Sequence, residues 1–123
     1  MPTGDEHKKK YINNKKVLKL LNIQDKDQCD WIATIAFYSA LHIIEKELAK
    51  ENKHFRTHME REQYINGEPK YCKNQIAAKY KQLSTNSKIA RYGPGKITPT
   101  KANQMLRILA DIESVFEVNQ DTE

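Results

Sequence analysis

The segment from residue 28 to residue 51 constrains the fold most, because it contains neither glycine nor proline and its apolar residues follow a helical period. Either Asp27 or Asp30 is suited to cap its first turn. The apolar residues form two stripes: Ile32, Ile35, Ala36, Ser39, Ala40 and Ile43, and Phe37, Leu41, Ile44 and Leu48. Together the stripes cover most of the helix circumference, so we predict a buried central helix.

Further helices are predicted at residues 8–22, 58–66 and 70–84, and a last one begins at Pro99. Thr57 starts a capping-box pattern before the helix at 58–66. Residues 93–99 are predicted to form a loop, and no segment alternates between apolar and polar residues as a strand would. The predicted fold class is all-α, an antiparallel four- or five-helix bundle.

The length of 123 residues fits one domain. We predict a single helical domain over residues 1–123, with a core at about 8–118 and short flexible termini. The longest apolar region, residues 31–44, is shorter than the roughly 20 residues of a membrane span. Two isolated cysteines suggest reduced thiols. We therefore expect a cytoplasmic protein with no membrane contact.

Charge is distributed unevenly along the chain, whose net charge is +5. Residues 53–107 contain twelve Lys or Arg and only three acids, whereas residues 108–123 contain five acids and no base. Such a basic segment attracts phosphates, which predicts binding to RNA or another polyanion. The alternative is a lysine-rich surface that is simply hydrated.

Four polar residues share one side of the central helix: Thr34, Tyr38, His42 and Glu45. Polar groups on a buried helix cost free energy unless they are hydrogen-bonded. The stripe is therefore either a structural network or the wall of a site, in which Glu45 orients His42.

A cluster of histidine and arginine follows the central helix, at His54, Arg56, His58 and Arg61. Histidines four residues apart share a metal when they lie on one continuous helix. Thr57 as helix cap places His54 before the helix, and no nearby carboxylate or thiol completes a ligand set, so we assign no metal ligand and no cofactor. Histidine and arginine together suit phosphate.

Several short segments carry a family resemblance when they are taken together and in order. They are Asp30-Trp31-Ile32-Ala33, Phe37-Tyr38-Ser39-Ala40-Leu41-His42, His58-Met59-Glu60-Arg61 and Ser87-Lys88-Ile89-Ala90-Arg91-Tyr92. Over roughly residues 29–115 the chain resembles a branch of the HEPN domains. The resemblance implies a bundle of four or five helices that is often dimeric. It also implies links to RNA cleavage, nucleotide binding, toxin–antitoxin pairs or defence systems.

The chain departs from the nuclease motif of that family, which is Arg followed after four to six residues by His. Arg56 is too close to His58, and no histidine follows Arg61, Arg91 or Arg107. The nuclease dyad therefore does not carry over. The resemblance transfers only the pattern of its own branch, at His42, His54, His58, Arg61, Arg91 and Tyr92.

Three hypotheses about function follow. In the first, the chain binds RNA or a nucleotide through a basic face. In the second, it is a metal-independent endoribonuclease with a rearranged dyad, in which His58 or His54 acts with Arg61. In the third, it is a helical interaction module for an antitoxin or another partner protein, or a homodimer. The residues assigned to anion or nucleic-acid binding are His42, Arg56, Arg61, Arg91, Tyr92 and Lys96.

The sharpest form of the first hypothesis is a single anion-binding pocket made of His58, Arg61, Arg91 and Tyr92. The first two lie on one face at the start of a helix, where free backbone N–H groups favour an anion. The alternative is that Arg91 pairs with an acid such as Glu45 and stabilises the bundle.

Overall fold

The computed structural model describes residues 3–93 and 97–116, and this part of the chain is helical, with no strand. The helices are α1 (Gly4–Leu20), α2 (Lys26–Lys50), α3 (His58–Gly67), α4 (Pro69–Cys72), α5 (Ile76–Tyr92) and α6 (Pro99–Phe116). The predictions of an all-α fold and of a helical bundle are confirmed. Residues 3–7 of the predicted N-terminal segment form the cap and the start of α1. Residues 1–2, residues 94–96 of the predicted loop, and residues 117–123 with the end of the core at 118 lie outside the described residues.

The central helix α2 packs against α1, α5 and α6, as its two apolar stripes predict. Its side chains Ala36 and Ala40 are fully buried. Ile35 is an exception, because it is only partly buried and does not belong to the core. The end of α2 lies beside the start of α1, where His42 contacts His7. Consecutive long helices α1 and α2 are therefore antiparallel.

Both of the first two helices begin earlier than predicted. Thr3 and Glu6 form a capping box, which starts α1 at Gly4 and not at residue 8. Asp25 caps α2 by accepting a hydrogen bond from the Asp27 backbone N–H at 2.9 Å. The prediction of Asp27 or Asp30 as the cap was wrong. The Asp30 carboxylate instead accepts a hydrogen bond from the Ile97 N–H, which fixes the chain just before α6.

The predicted helix at 70–84 is broken. After α4 the chain makes a 3₁₀ turn at Lys73–Gln75, where Asn74 and Gln75 both have φ of 59°. An α-helix cannot continue through this left-handed conformation, which asparagine tolerates better than most residues. The helix then restarts as α5 and continues to Tyr92. On this helix Ile76, Tyr80 and Leu83 are buried.

The last helix agrees with its prediction. The Thr98 hydroxyl accepts a hydrogen bond from the Lys101 N–H at 3.1 Å, and Pro99 is the first residue of α6. Ala102, Met105 and Ile112 are fully buried. Among the helices described, none is both long enough and apolar enough to cross a membrane.

Candidate functional site

Three polar residues of α2 each bind a side chain from a different surrounding helix, and we call the six residues together the polar seam. The residues of α2 are Tyr38, His42 and Glu45, and their partners are Arg91 from α5, His7 from α1 and Arg61 from α3. Thr34 does not take part in the same way, because its hydroxyl donates to the Asp30 carbonyl of its own helix. The seam therefore joins three helices to the central one.

His7, His42 and Glu45 form the first part of the seam. The two Nδ1 atoms of His7 and His42 are 3.1 Å apart. The Glu45 Oε1 atom lies 3.6 Å from the His7 Nδ1 and 3.5 Å from the His42 Nδ1. His7 is buried, while His42 and Glu45 are partly buried. Two imidazoles and a carboxylate thus converge on one point.

Burial lowers the pKa of both histidines of this group. Together with the charges of His7, Lys10 and Arg61, burial lowers the pKa of His42 to about 4. Burial also lowers the pKa of His7, although Glu45 opposes that change. Both imidazoles are therefore neutral at pH 7.

Arg61 forms the second part of the seam and is only 5% exposed. Its Nη2 donates to the Glu45 Oε2 at 3.2 Å, and its Nη1 lies 3.0 Å from the His58 Nδ1. Because a guanidinium only donates, the His58 Nδ1 accepts and the neutral ring keeps its proton on Nε2. Burial, followed by the Arg61 charge, lowers the pKa of His58. His58 therefore presents an N–H donor to its surroundings.

Two buried polar atoms beside Arg61 have no hydrogen-bond partner among the described residues, the Arg61 Nε and the Tyr80 hydroxyl. Burial raises the pKa of Tyr80 to about 12, and the positive charge of Arg61 moderates this rise. A cavity of about 20 Å³ lies next to Arg61, and His7, Glu45, His54 and Lys53 also line it. A cavity of this size holds about one water molecule.

Arg91 forms the third part of the seam, at the end of α5. Its Nη1 donates to the Tyr38 hydroxyl at 2.9 Å, and its Nε donates to the Ser87 carbonyl at 3.3 Å. The guanidinium also lies over the rings of Tyr38 and Tyr92, 5.4 and 5.0 Å from their centroids. The acid proposed as its alternative partner, Glu45, binds Arg61 instead.

A second cavity, which we call the aromatic slot, lies between the start of α2 and the end of α5. It has a volume of about 460 Å³. Trp31 is 62% exposed and Tyr92 79% exposed. The slot is lined by Asp27, Asp30, Trp31, Thr34, Ala90, Arg91 and Tyr92.

The residues of the predicted anion-binding pocket are therefore only partly together. His58 and Arg61 are in contact, whereas Arg91 and Tyr92 line the aromatic slot. The two pairs are nevertheless linked through aromatic rings. The Phe37 ring centroid lies 5.8 Å from that of His58 and 5.1 Å from that of Tyr38, whose hydroxyl accepts a hydrogen bond from Arg91.

The other predicted site residues are more scattered. His42 lies in the seam beside His7, and His54 is exposed in the chain before α3, as Thr57 predicts. Arg56 is exposed, and Lys96 lies outside the described residues.

Two residues at these sites were not predicted from the sequence. His7 is followed by three lysines, which gives it no apolar neighbour in the sequence. It lies four residues before Tyr11, and both are buried on one face of α1. The pattern Thr3-x-x-Glu6 is the signal that reveals the helix on which His7 lies. Trp31 belongs to one of the segments that carry the family resemblance, but no feature of the sequence predicts that its side chain is exposed.

The neutral histidines predict how stability depends on pH. Because the folded pKa of His42 lies below the ordinary value near 6.5, protonation favours the unfolded chain. Stability should be complete above about pH 6.5 and fall between there and pH 4, with His42 contributing about 2 kcal/mol after allowance for solvent screening. Urea titrations in a chelating buffer measure this, with the exposed His54→Gln as control. Parallel pH profiles for His42→Gln and the unchanged protein would contradict it.

Comparison with known proteins adds no relative to this description. The sequence matches no protein-family model, and neither a curated protein nor a solved structure is significantly similar to it. What the chain does is therefore argued from its own residues.

Proposed function

We propose that the chain binds single-stranded RNA or a nucleotide at the aromatic slot. The observation that carries the proposal is that two exposed aromatic rings, Trp31 and Tyr92, line one cavity together with a guanidinium, Arg91. Aromatic rings and arginine are the groups on which unpaired bases stack. The volume of about 460 Å³ falls within the range of small-ligand pockets.

The charged groups around the slot indicate where a base and where a phosphate would lie. The carboxylates of Asp27 and Asp30 line the slot, so they repel phosphate and suit the amino or imino N–H groups of a base. Outside the slot, His58 presents an N–H donor, and the charges of Lys88 and Arg91 act on it. The base therefore enters the slot, and the phosphate lies toward His58, where the basic segment begins.

The geometry favours binding over cleavage. A general base needs a free lone pair, and the His58 Nδ1 already accepts a hydrogen bond from Arg61. Arg61 is buried with both terminal nitrogens bound, so it orients His58 and does not reach a bound phosphate. Endoribonuclease activity through His58 and Arg61 remains the second candidate, and it requires both contacts to rearrange.

The wider setting belongs to the same proposal. The HEPN resemblance adds a homodimeric RNA-binding protein that works with an antitoxin or another partner protein, and the two isolated cysteines add a cytoplasmic location. A helical interaction module without a nucleic-acid ligand is the competing hypothesis. The RNA experiment below separates these two, because an interaction module has no reason to bind nucleotides in its slot.

Trp31 is the single tryptophan of the chain, so its fluorescence reports directly on the slot. We expect single-stranded oligoribonucleotides to quench it, with affinity that falls steeply as salt rises. Trp31→Ala and Tyr92→Ala should each weaken binding by about 5- to 150-fold in anisotropy titrations, which corresponds to the loss of one base stack. Arg91→Ala should weaken binding as well.

Arg107→Ala is the matched control for Arg91→Ala, since Arg107 is an exposed arginine of the same basic segment. It should change affinity only slightly. Equal losses for Arg91→Ala and Arg107→Ala would show a diffuse electrostatic surface and no slot. Absence of both quenching and binding at low salt would refute the proposal and favour the interaction module.

A further inference from the structure

We propose that His7, His42 and Glu45 form a binding site for a zinc ion. These three residues are the one group of three or more potential ligands that the described part of the chain brings together. Two imidazole nitrogens and one carboxylate oxygen are a donor set that zinc accepts, whereas magnesium and calcium prefer oxygen ligands. The site is separate from the aromatic slot, which none of the three residues lines.

The spacing of the three donor atoms matches tetrahedral coordination. Ligands of a zinc ion lie about 2.0–2.1 Å from the metal and therefore about 3.3 Å from one another. The observed separations are 3.1 Å between the two Nδ1 atoms and 3.5 and 3.6 Å from these to the Glu45 Oε1. A tetrahedral ion slightly above the plane of this triangle needs only small movements of the side chains.

Hydrogen bonding alone leaves this arrangement incomplete. The two Nδ1 atoms are 3.1 Å apart, which leaves room for only one N–H between them. The Glu45 Oε1 is 3.5 Å or more from each of them, which is longer than an ordinary hydrogen bond. When both rings carry their proton on Nε2, three lone-pair donors face one another, and a cation between them satisfies all three.

The surroundings hold the carboxylate in the orientation that a single-oxygen ligand requires. Arg61 binds the Oε2 of Glu45 at 3.2 Å, which leaves the Oε1 directed at the two histidines. Such outer contacts orient metal ligands and tune their affinity. His7 and Glu45 also line the cavity of about 20 Å³, which has room for one water molecule as the fourth ligand.

Metal binding is tested with protein that has been stripped by chelation and then titrated with Co²⁺ and Zn²⁺. We expect one equivalent of Co²⁺ to give the visible absorption of a tetrahedral ion, and one equivalent of Zn²⁺ to displace it. His7→Ala and His42→Ala should each weaken Zn²⁺ binding at least about tenfold by calorimetry.

Two control variants separate this site from adventitious binding. His58→Ala removes a histidine that does not line this cavity, and Cys72→Ser removes an exposed thiol. Both should bind one equivalent with unchanged affinity. Binding that persists in both His7→Ala and His42→Ala, or that disappears in a control variant, would overturn the proposal, as would no binding by the unchanged protein.

Nuclear magnetic resonance of the imidazole nitrogens keeps the test valid if a ligand variant fails to fold. Zinc on both Nδ1 atoms requires both rings of the unchanged protein to carry their proton on Nε2. The Nδ1 resonances of His7 and His42 should therefore shift together on addition of one equivalent of Zn²⁺. Shifts at His54 or His58 with none at His7 and His42 would place the ion elsewhere and refute the site.

Discussion

Ala36→Asp should unfold the protein under conditions in which the unchanged chain is folded. Ala36 is fully buried on α2, the helix that packs against three others. The new carboxylate has no partner there and needs volume that the packed core lacks, so we expect a loss of about 5 kcal/mol, comparable to the whole stability of a small domain. Circular dichroism with thermal and urea unfolding measures it.

Ile35→Asp is the matched comparison, because it introduces the same charge one residue earlier. The apolar stripe predicts that Ile35 is buried, but in the structure its side chain is partly exposed and lies outside the core. We expect a clearly smaller loss of stability. Equal losses of stability in Ala36→Asp and Ile35→Asp would mean that the side of α2 assigned to the core is wrong.

Arg61→Met should lower the free energy of unfolding by about 3 kcal/mol. The substitution keeps most of the side-chain volume but leaves the partly buried Glu45 carboxylate without its cation. Removing one member of a buried ion pair usually costs about 3–5 kcal/mol, and the partial exposure of Glu45 places this pair at the lower end. Arg56→Met is the control, because Arg56 is exposed and its loss should change stability by less than about 0.5 kcal/mol.

A double-mutant cycle with Glu45→Gln isolates the pair. If the two side chains act on each other, the double variant loses less than the sum of the single variants. The measurements belong in a chelating buffer, so that a metal on Glu45 does not contribute. If Arg61→Met and Arg56→Met have the same free energy of unfolding, then Arg61 does not form the stabilising ion pair with Glu45.

The sequence predicts α2 and α6 well because their own residues indicate where each helix lies and which face is buried. Uninterrupted apolar stripes specify α2, while Thr98 and Pro99 specify the start of α6. The break before α5 is harder to predict, since Asn74 and Gln75 have no glycine or proline beside them to mark the left-handed turn. A helix-compatible sequence was thus interrupted by tertiary packing.

The candidate sites likewise have a part that the sequence predicts and a part that depends on how the helices pack. Spacing along α2 reveals that Tyr38, His42 and Glu45 share one side, because this requires only the helical period. Their partners come from α1, α3 and α5, and no local pattern specifies which basic residue reaches which position. Arg61 and not Arg91 pairs with Glu45, and this follows only from how the helices pack.

The contact between Tyr11 and Glu113 has a consequence for the order in which the chain folds. The Tyr11 hydroxyl donates to the buried Glu113 carboxylate, which also pairs with Lys15 at 2.9 Å, and the sequence separation of Tyr11 and Glu113 is 102 residues. The entropy of loop closure grows with that separation, while α1 and α2 are joined by a short connection. We therefore expect the α1–α2 hairpin to form early and α1 to meet α6 late. On this expectation Glu113 stays hydrated until that meeting, and its charge is buried in the final stage of folding.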